Sequence, residues 1–199
     1  WFVLNEEDGG ENSEVGSFES GLTEIISVLR MPVVWLISIV VLAAYSAYWG
    51  AYRFTSYSTD IFSLSVVMAG AISIGKMAMS PPSALIAGYV SDNIGIAKSV
   101  CILFVILIFS FLIFAFMPGL PSLLPFMITN IAIASLAIFA LRGIYFALLE
   151  EGDIPMRVTG TATGFISMIG FTPDIFMPLV GGVLLDRLPT VEGYHSFFL

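Results

Sequence analysis

Apolar residues run through this chain in blocks too long for a soluble core. A bilayer core about 30 Å thick needs roughly 20 mostly apolar helical residues to cross it. Five stretches meet that length. Residues 32–57 carry no charge until Arg53, and 64–91 carry Lys76. Residues 99–117 carry no charge, 122–149 carry Arg142, and 159–185 carry Asp174. Polar or turn-forming runs divide them: Pro118-Gly119-Leu120-Pro121, Glu150 to Pro155, and Asp186-Arg187-Leu188-Pro189. Connections this short force neighbouring helices to run antiparallel. Pro81-Pro82 is expected to kink the second span. The pattern predicts an all-α, polytopic transmembrane helical bundle.

The ends extend the pattern. Trp1 to Leu4 reads as the close of an earlier helix, and residues 194–199 read as the start of a sixth span in this bundle. The chain therefore reads as a piece of a longer protein. Residues 1–31 are read as the end of that earlier helix plus an acidic connector. Residues 32–199 are read as one transmembrane bundle.

Composition sharpens this reading. The chain has 199 residues, 58% of them apolar and 11% charged, with a mean hydropathy of +0.98. Soluble domains are nearer 45–50% apolar and about a quarter charged. The net charge of −8 is concentrated at one end. Residues 1–24 hold seven acidic groups and no basic one, and the remainder holds eight acidic and seven basic groups. No Lys/Arg cluster offers the basic footprint that nucleic acid requires. Arg30, Lys98 and Arg157 fall on one side of the bundle, Arg53 and Arg187 on the other. The basic-residue rule then places residues 5–30 and the loops 92–98 and 150–158 in the cytoplasm.

Classical enzyme chemistry finds little support. Cys101 is the single cysteine and His195 the single histidine, so no metal cluster is expected. His195, beside Tyr194, reads as an interfacial histidine. No G-x-S-x-G, H-E-x-x-H or P-loop occurs. The chain is expected to be no enzyme and to need no cofactor.

The candidate chemistry lies on helix faces. Ser38, Val41, Tyr45, Tyr48 and Tyr52 share one face of the first span, with Trp49 beside them. Tyr45, Tyr48 and Trp49 are candidate substrate-binding groups; the plainer alternative is an aromatic belt at the membrane edge. Ala69, Ser73, Lys76, Ser80, Ser83 and Ala87 form a small and polar stripe on the second span. An ammonium there needs water or a partner, because a charge at the membrane centre costs about 2.5–3.5 kcal/mol on insertion scales. Lys76 is thus a candidate for binding an anion, or for an ion pair with Asp174. Arg142, on a face with Ser135 and Tyr145, either binds an anion bidentately or snorkels to the interface. On the fifth span Gly160, Gly164, Ser167, Phe171, Asp174, Pro178 and Gly181 align, and Pro173 breaks the helix beside Asp174. Asp174 is a candidate coupling or ion-pair group.

One segment resembles a known family. Gly88-Tyr89-Val90-Ser91-Asp92-Asn93-Ile94-Gly95-Ile96-Ala97-Lys98 is similar to the cytoplasmic signature loop of the major facilitator superfamily, G-x-x-x-D-R-x-G-R-[RK]. Gly88, Asp92 and Gly95 match; Asn93 and Ile96 stand where that motif has arginines. The resemblance implies the second six-helix half of a twelve-helix transporter. Gly88, Asp92 and Gly95 would form a conformational-lock loop, with Asp92 pairing with a neighbouring helix end. The stretches from Arg142 to Gly152 and from Gly170 to Asp174 look like bacterial members related to the sugar-phosphate and organophosphate antiporters. Those antiporters carry a Tyr-x-x-Arg-Tyr-Gly pattern on the seventh helix. Here the stretch is Tyr45-Ser46-Ala47-Tyr48-Trp49-Gly50, with Tyr48 in the place of the arginine.

The function this resemblance implies is secondary active transport of a small metabolite, anionic or sugar-derived, across the inner membrane by alternating access. Its partners would be the lipid bilayer, the substrate and an N-terminal half of the same protein. The alternatives are a transporter-like metabolite sensor and a non-transporting structural bundle.

Overall fold

The computed structural model describes residues 21–199. Trp1 to Leu4 and most of the acidic connector lie outside the described residues. The helices are α1 (residues 21–29), α2 (Pro32–Phe62), α3 (Val66–Ala78), α4 (Ser80–Ile94), α5 (Ile96–Phe116), α6 (Leu124–Ile144), α7 (Leu148–Glu151), α8 (Thr159–Gly170), α9 (Pro173–Arg187) and α10 (Thr190–Phe198). No strand occurs among the described residues.

Among the described residues four helical runs are long and apolar enough to cross a membrane: Pro32–Phe62, Ile96–Phe116, Pro121–Glu151 and Met156–Arg187. The chain is a membrane helical bundle. The expected span at 64–91 forms two shorter helices, α3 and α4, which meet at Met79. Prolines 81 and 82 lack the N–H that would continue the ladder, but they fit the first turn of a new helix. The same logic divides α8 from α9. Pro173 cannot donate to the carbonyl of Ile169, and the Thr172 hydroxyl takes that carbonyl instead, at 2.7 Å. α2, the first expected span, continues past 57 to Phe62, and α10 begins at Thr190, ahead of the expected 194.

Two helices organise the packing. α2 touches α3, α6, α8, α9 and α10, and α6 touches α3, α4 and α5. Small residues set the closest approaches. A Cβ on Gly170 would meet Val41 Cγ1 of α2, and one on Gly143 would lie 3.0 Å from Ala84 Cβ of α4. Small side chains are how membrane helices gain contact without an aqueous driving force between them. α5 and α6 are also joined by a buried reciprocal pair. Ser110 Oγ donates to Asn130 Oδ1 at 2.7 Å, and Asn130 Nδ2 donates to the Ser110 carbonyl at 3.1 Å.

An aromatic cluster closes the end of the bundle where α10 begins. The Phe54 and Phe114 rings stack at 4.6 Å, and Phe114 and Phe198 lie 4.9 Å apart. Tyr194 donates to Asp60 Oδ2 at 2.6 Å, which ties α10 to α2. His195 sits in the same helix, its Nε2 3.2 Å from the Met117 carbonyl oxygen. At the other end, Gly95 has φ 97°, a conformation that glycine adopts without a steric cost. It lets α5 start directly after α4.

Candidate functional site

The polar face of α2 emerges gradually from the core. Ser38 and Val41 are buried, Tyr45, Tyr48 and Trp49 are half-buried, and Tyr52 is exposed. Helical spacing places these rings one above another, and they form a continuous aromatic ladder. Tyr45 and Tyr48 have ring centroids 5.6 Å apart, and Tyr48 and Tyr52 5.1 Å apart. Trp49 lies 5.2 Å from Tyr52. The Tyr48 and Tyr52 hydroxyls are hydrogen-bonded at 2.9 Å.

Asp174 reaches this ladder from the break between α8 and α9. It is exposed, and two neutral donors hold its carboxylate. Trp49 Nε1 donates to Oδ1 at 2.9 Å, and the Tyr45 hydroxyl donates at 3.1 Å to Oδ1 and 3.2 Å to Oδ2. The Phe171 ring, 4.8 Å from Tyr45, packs on the same corner.

The expected alternative of a Lys76–Asp174 ion pair does not form. The Lys76 ammonium is half-buried and donates to the Ala51 carbonyl at 2.6 Å. It lies 6.0 Å from the centroid of the Tyr52 ring. Geometry explains the difference: α3 and α9 both pack on α2, and the aromatic ladder stands between the two charges. Arg142 is exposed, and its guanidinium carbon lies 4.2 Å from the Tyr48 centroid. That places a cation on the electron-rich ring face.

These groups enclose a cavity of about 280 Å³. Lys76, Arg142, Tyr48 and Tyr52 line it, with Ser73, Ser80, Thr55 and Phe139 among the other walls. Both basic side chains border it, and no carboxylate does. No salt bridge holds either of them among the described residues. Chemically, the cavity offers two cations, two phenol hydroxyls and aromatic walls, which suit a small anion with an apolar or hydroxylated body. Thr55 and Phe139 carry no sequence signal that marks them as site residues. Tyr52 does, as the next turn of the tyrosine face.

The loop at residues 92–98 joins α4 to α5. Gly88 and Gly95 lie in α4 and at its C-terminal end, and Asp92 is exposed. The carboxylate that meets a helix start here is Glu151 of α7. Its Oε2 accepts the Ala97 N–H at 2.7 Å, capping α5, where a negative charge is favoured. Among the described residues no group of three or more His, Cys, Asp or Glu is arranged to hold a metal.

No protein-family model matches the chain, and no solved structure matches it. Two curated proteins of Escherichia coli (strain K12) are similar to it over its whole length. Inner membrane protein YqcE is 28% identical over 206 residues, and inner membrane protein YihN is 29% identical over 205. The chain spans 48% of each, so it covers about half the length of these relatives.

Proposed function

We propose that this chain is the C-terminal half of a secondary transporter of the inner membrane, of the major facilitator type, that moves a small anionic metabolite by alternating access. One observation carries the reading. Lys76 and Arg142 border a single aromatic cavity among long apolar helices, and neither meets a carboxylate among the described residues. Charges at such depth are costly unless they serve a pathway or a ligand. Two inner membrane relatives that match the whole chain support the location. The loop containing Gly88, Asp92 and Gly95 supports the superfamily. The other half of the site would come from an N-terminal bundle facing the exposed side chains of Tyr52, Arg142 and Asp174.

In this reading, the anion is held between the Lys76 ammonium and the Arg142 guanidinium while its body stacks on Tyr48 and Tyr52. Binding satisfies both cations and so favours a closed state over an empty open one. The test is a thermal-shift and vesicle-uptake panel on the purified full-length protein, using inorganic phosphate, glucose 6-phosphate, D-gluconate, glucose and glycerol. A ligand that binds only the native state stabilises it by mass action. The expected result is saturable stabilisation and uptake for an anionic member, absent with glucose and glycerol. Stabilisation by a neutral member alone overturns the anion assignment. No uptake of any member overturns the transport reading.

A further inference from the structure

We propose that α1 is a membrane-surface anchor. Its outward apolar face inserts into the head-group region of the leaflet that α2 enters, and the acidic residues before it loosen that hold as the leaflet gains negative charge. The anchor does not depend on what the bundle carries.

The sequence of α1 is turned inside out for water. Leu22, Ile25, Ile26 and Leu29 recur at i, i+3, i+4 and i+7, which puts them within about 100° of arc on one helical face. A surface helix of a soluble protein points such a face at its core. Here all four point away from the bundle and are between 37% and 49% exposed. The side turned to the protein carries Glu24 and Ser27, both half-buried, and the buried Val28. Ser27 Oγ donates to the Glu24 carbonyl at 2.6 Å. Val28 belongs to the hydrophobic core. α1 is therefore seated on the bundle through one small apolar side chain, and its larger apolar surface is left for something outside.

The surface that adjoins this face is itself a membrane surface. Met31 is extended and Pro32 opens α2, so the two helices are separate and meet at a bend. Trp35, one turn into α2, donates its indole N–H to the Leu29 carbonyl at 2.9 Å, which satisfies a carbonyl at the open end of α1. The Trp35 ring is 45% exposed, and the exposed Leu36 and Ile39 carry the apolar band onward along α2. Tryptophan takes this position, between an apolar band and a polar edge, at membrane interfaces. Thr23 and Arg30, both exposed, flank the apolar face on one edge, where a long basic side chain reaches head groups. This continuity from α1 through Trp35 to the span selects the lipid of the same bilayer as the occupant.

Charge sets the sign of the lipid dependence. Interfacial helices commonly carry Lys and Arg on the polar face, which anionic lipids attract. Residues 1–30 hold seven acidic groups and only Arg30 as a basic one. An anionic leaflet repels this segment while the apolar face draws it in. Salt shortens the reach of that repulsion.

The test uses the full-length protein in vesicles, with Cys101→Ser and any other native cysteine likewise replaced. Ile25→Cys, Ile26→Cys or Thr23→Cys then carries an environment-sensitive fluorophore, and lipids with a nitroxide at the head group act as quenchers. In phosphatidylcholine vesicles the labels at Ile25 and Ile26 are expected to be quenched, and the label at Thr23 less so. Adding phosphatidylglycerol should lower the ratio of docked to undocked α1 by about fivefold or more, the effect of one charge repelled near the surface. High salt should reverse the change. Glu11→Gln, Glu14→Gln and Glu19→Gln together should flatten it. Labels at Ile25 and Ile26 that emit as in an apolar medium yet escape lipid quenching put the face against protein and overturn the proposal. Labels there that emit as in water overturn it too. Quenching that phosphatidylglycerol leaves unchanged overturns the charge dependence.

Discussion

The guanidinium of Arg142 lies over the face of Tyr48, 4.2 Å from the ring centroid. Here the positive charge comes from α6 and rests on that tyrosine. Arg142→Gln should weaken stabilisation by the preferred anion about tenfold to a hundredfold, as expected for loss of a hydrogen bond to a charged group. Arg142→Lys should lose less, since it keeps the charge but not the planar fork. Ligand titrations followed by thermal shift check both.

Lys76 should behave differently from a structural lysine. Among the described residues its half-buried ammonium has a single hydrogen bond, to the Ala51 carbonyl, which leaves its desolvation only partly offset. Lys76→Met is expected to melt at the same temperature as the wild type or higher, and to lose the anion response. A lower melting temperature with the anion response intact would assign Lys76 to the scaffold.

The Ser110–Asn130 pair is expected to be structural. Asn130→Ala should destabilise the bundle by about 0.6 kcal/mol and by no more than about 1.7, the average and the maximum found for hydrogen bonds between membrane helices. Ser110→Ala combined with Asn130→Ala should cost less than the two single losses added, because the partners share one interaction. Unfolding titrations in mixed micelles measure these differences.

Tyr57 gives a prediction of opposite sign. Its hydroxyl is buried and has no hydrogen-bond partner among the described residues, while its ring packs edge-on against Phe114 and Tyr194. An unsatisfied buried hydroxyl costs about 1–3 kcal/mol. Tyr57→Phe keeps the ring contacts and removes that cost, so its melting temperature should rise.

Much of the bundle was legible because lipid imposes a simple rule. Every backbone polar group must be bonded within the helix, so long apolar runs declare themselves. The prolines at 81, 82 and 173 marked where runs would break, because a missing N–H is visible in the sequence itself. The tyrosine face was legible from spacing. The partner of each charge was not. Periodicity says that Lys76 and Asp174 each lie on an inward or open face of their own helix. It says nothing of the ladder between them, which depends on how α3 and α9 are disposed around α2. Glu151 was missed for a related reason: a carboxylate in a polar loop looks solvated until the start of α5 is placed against it.

The two helix breaks have a mechanical consequence. α2, α5 and α6 run without such a break, while α3–α4 and α8–α9 are each jointed at a proline. At one end of the bundle α4 rests on α5 and α6, and α8 rests on α2; at the other, α3 rests on α2 and α6, and α9 on α2 and α10. The unbroken helices act as a tripod bearing two articulated limbs. The missing proline N–H makes each knee the weakest point of its limb. Lys76 lies just ahead of one knee and Asp174 just past the other, so whatever they hold sits where the limbs bend.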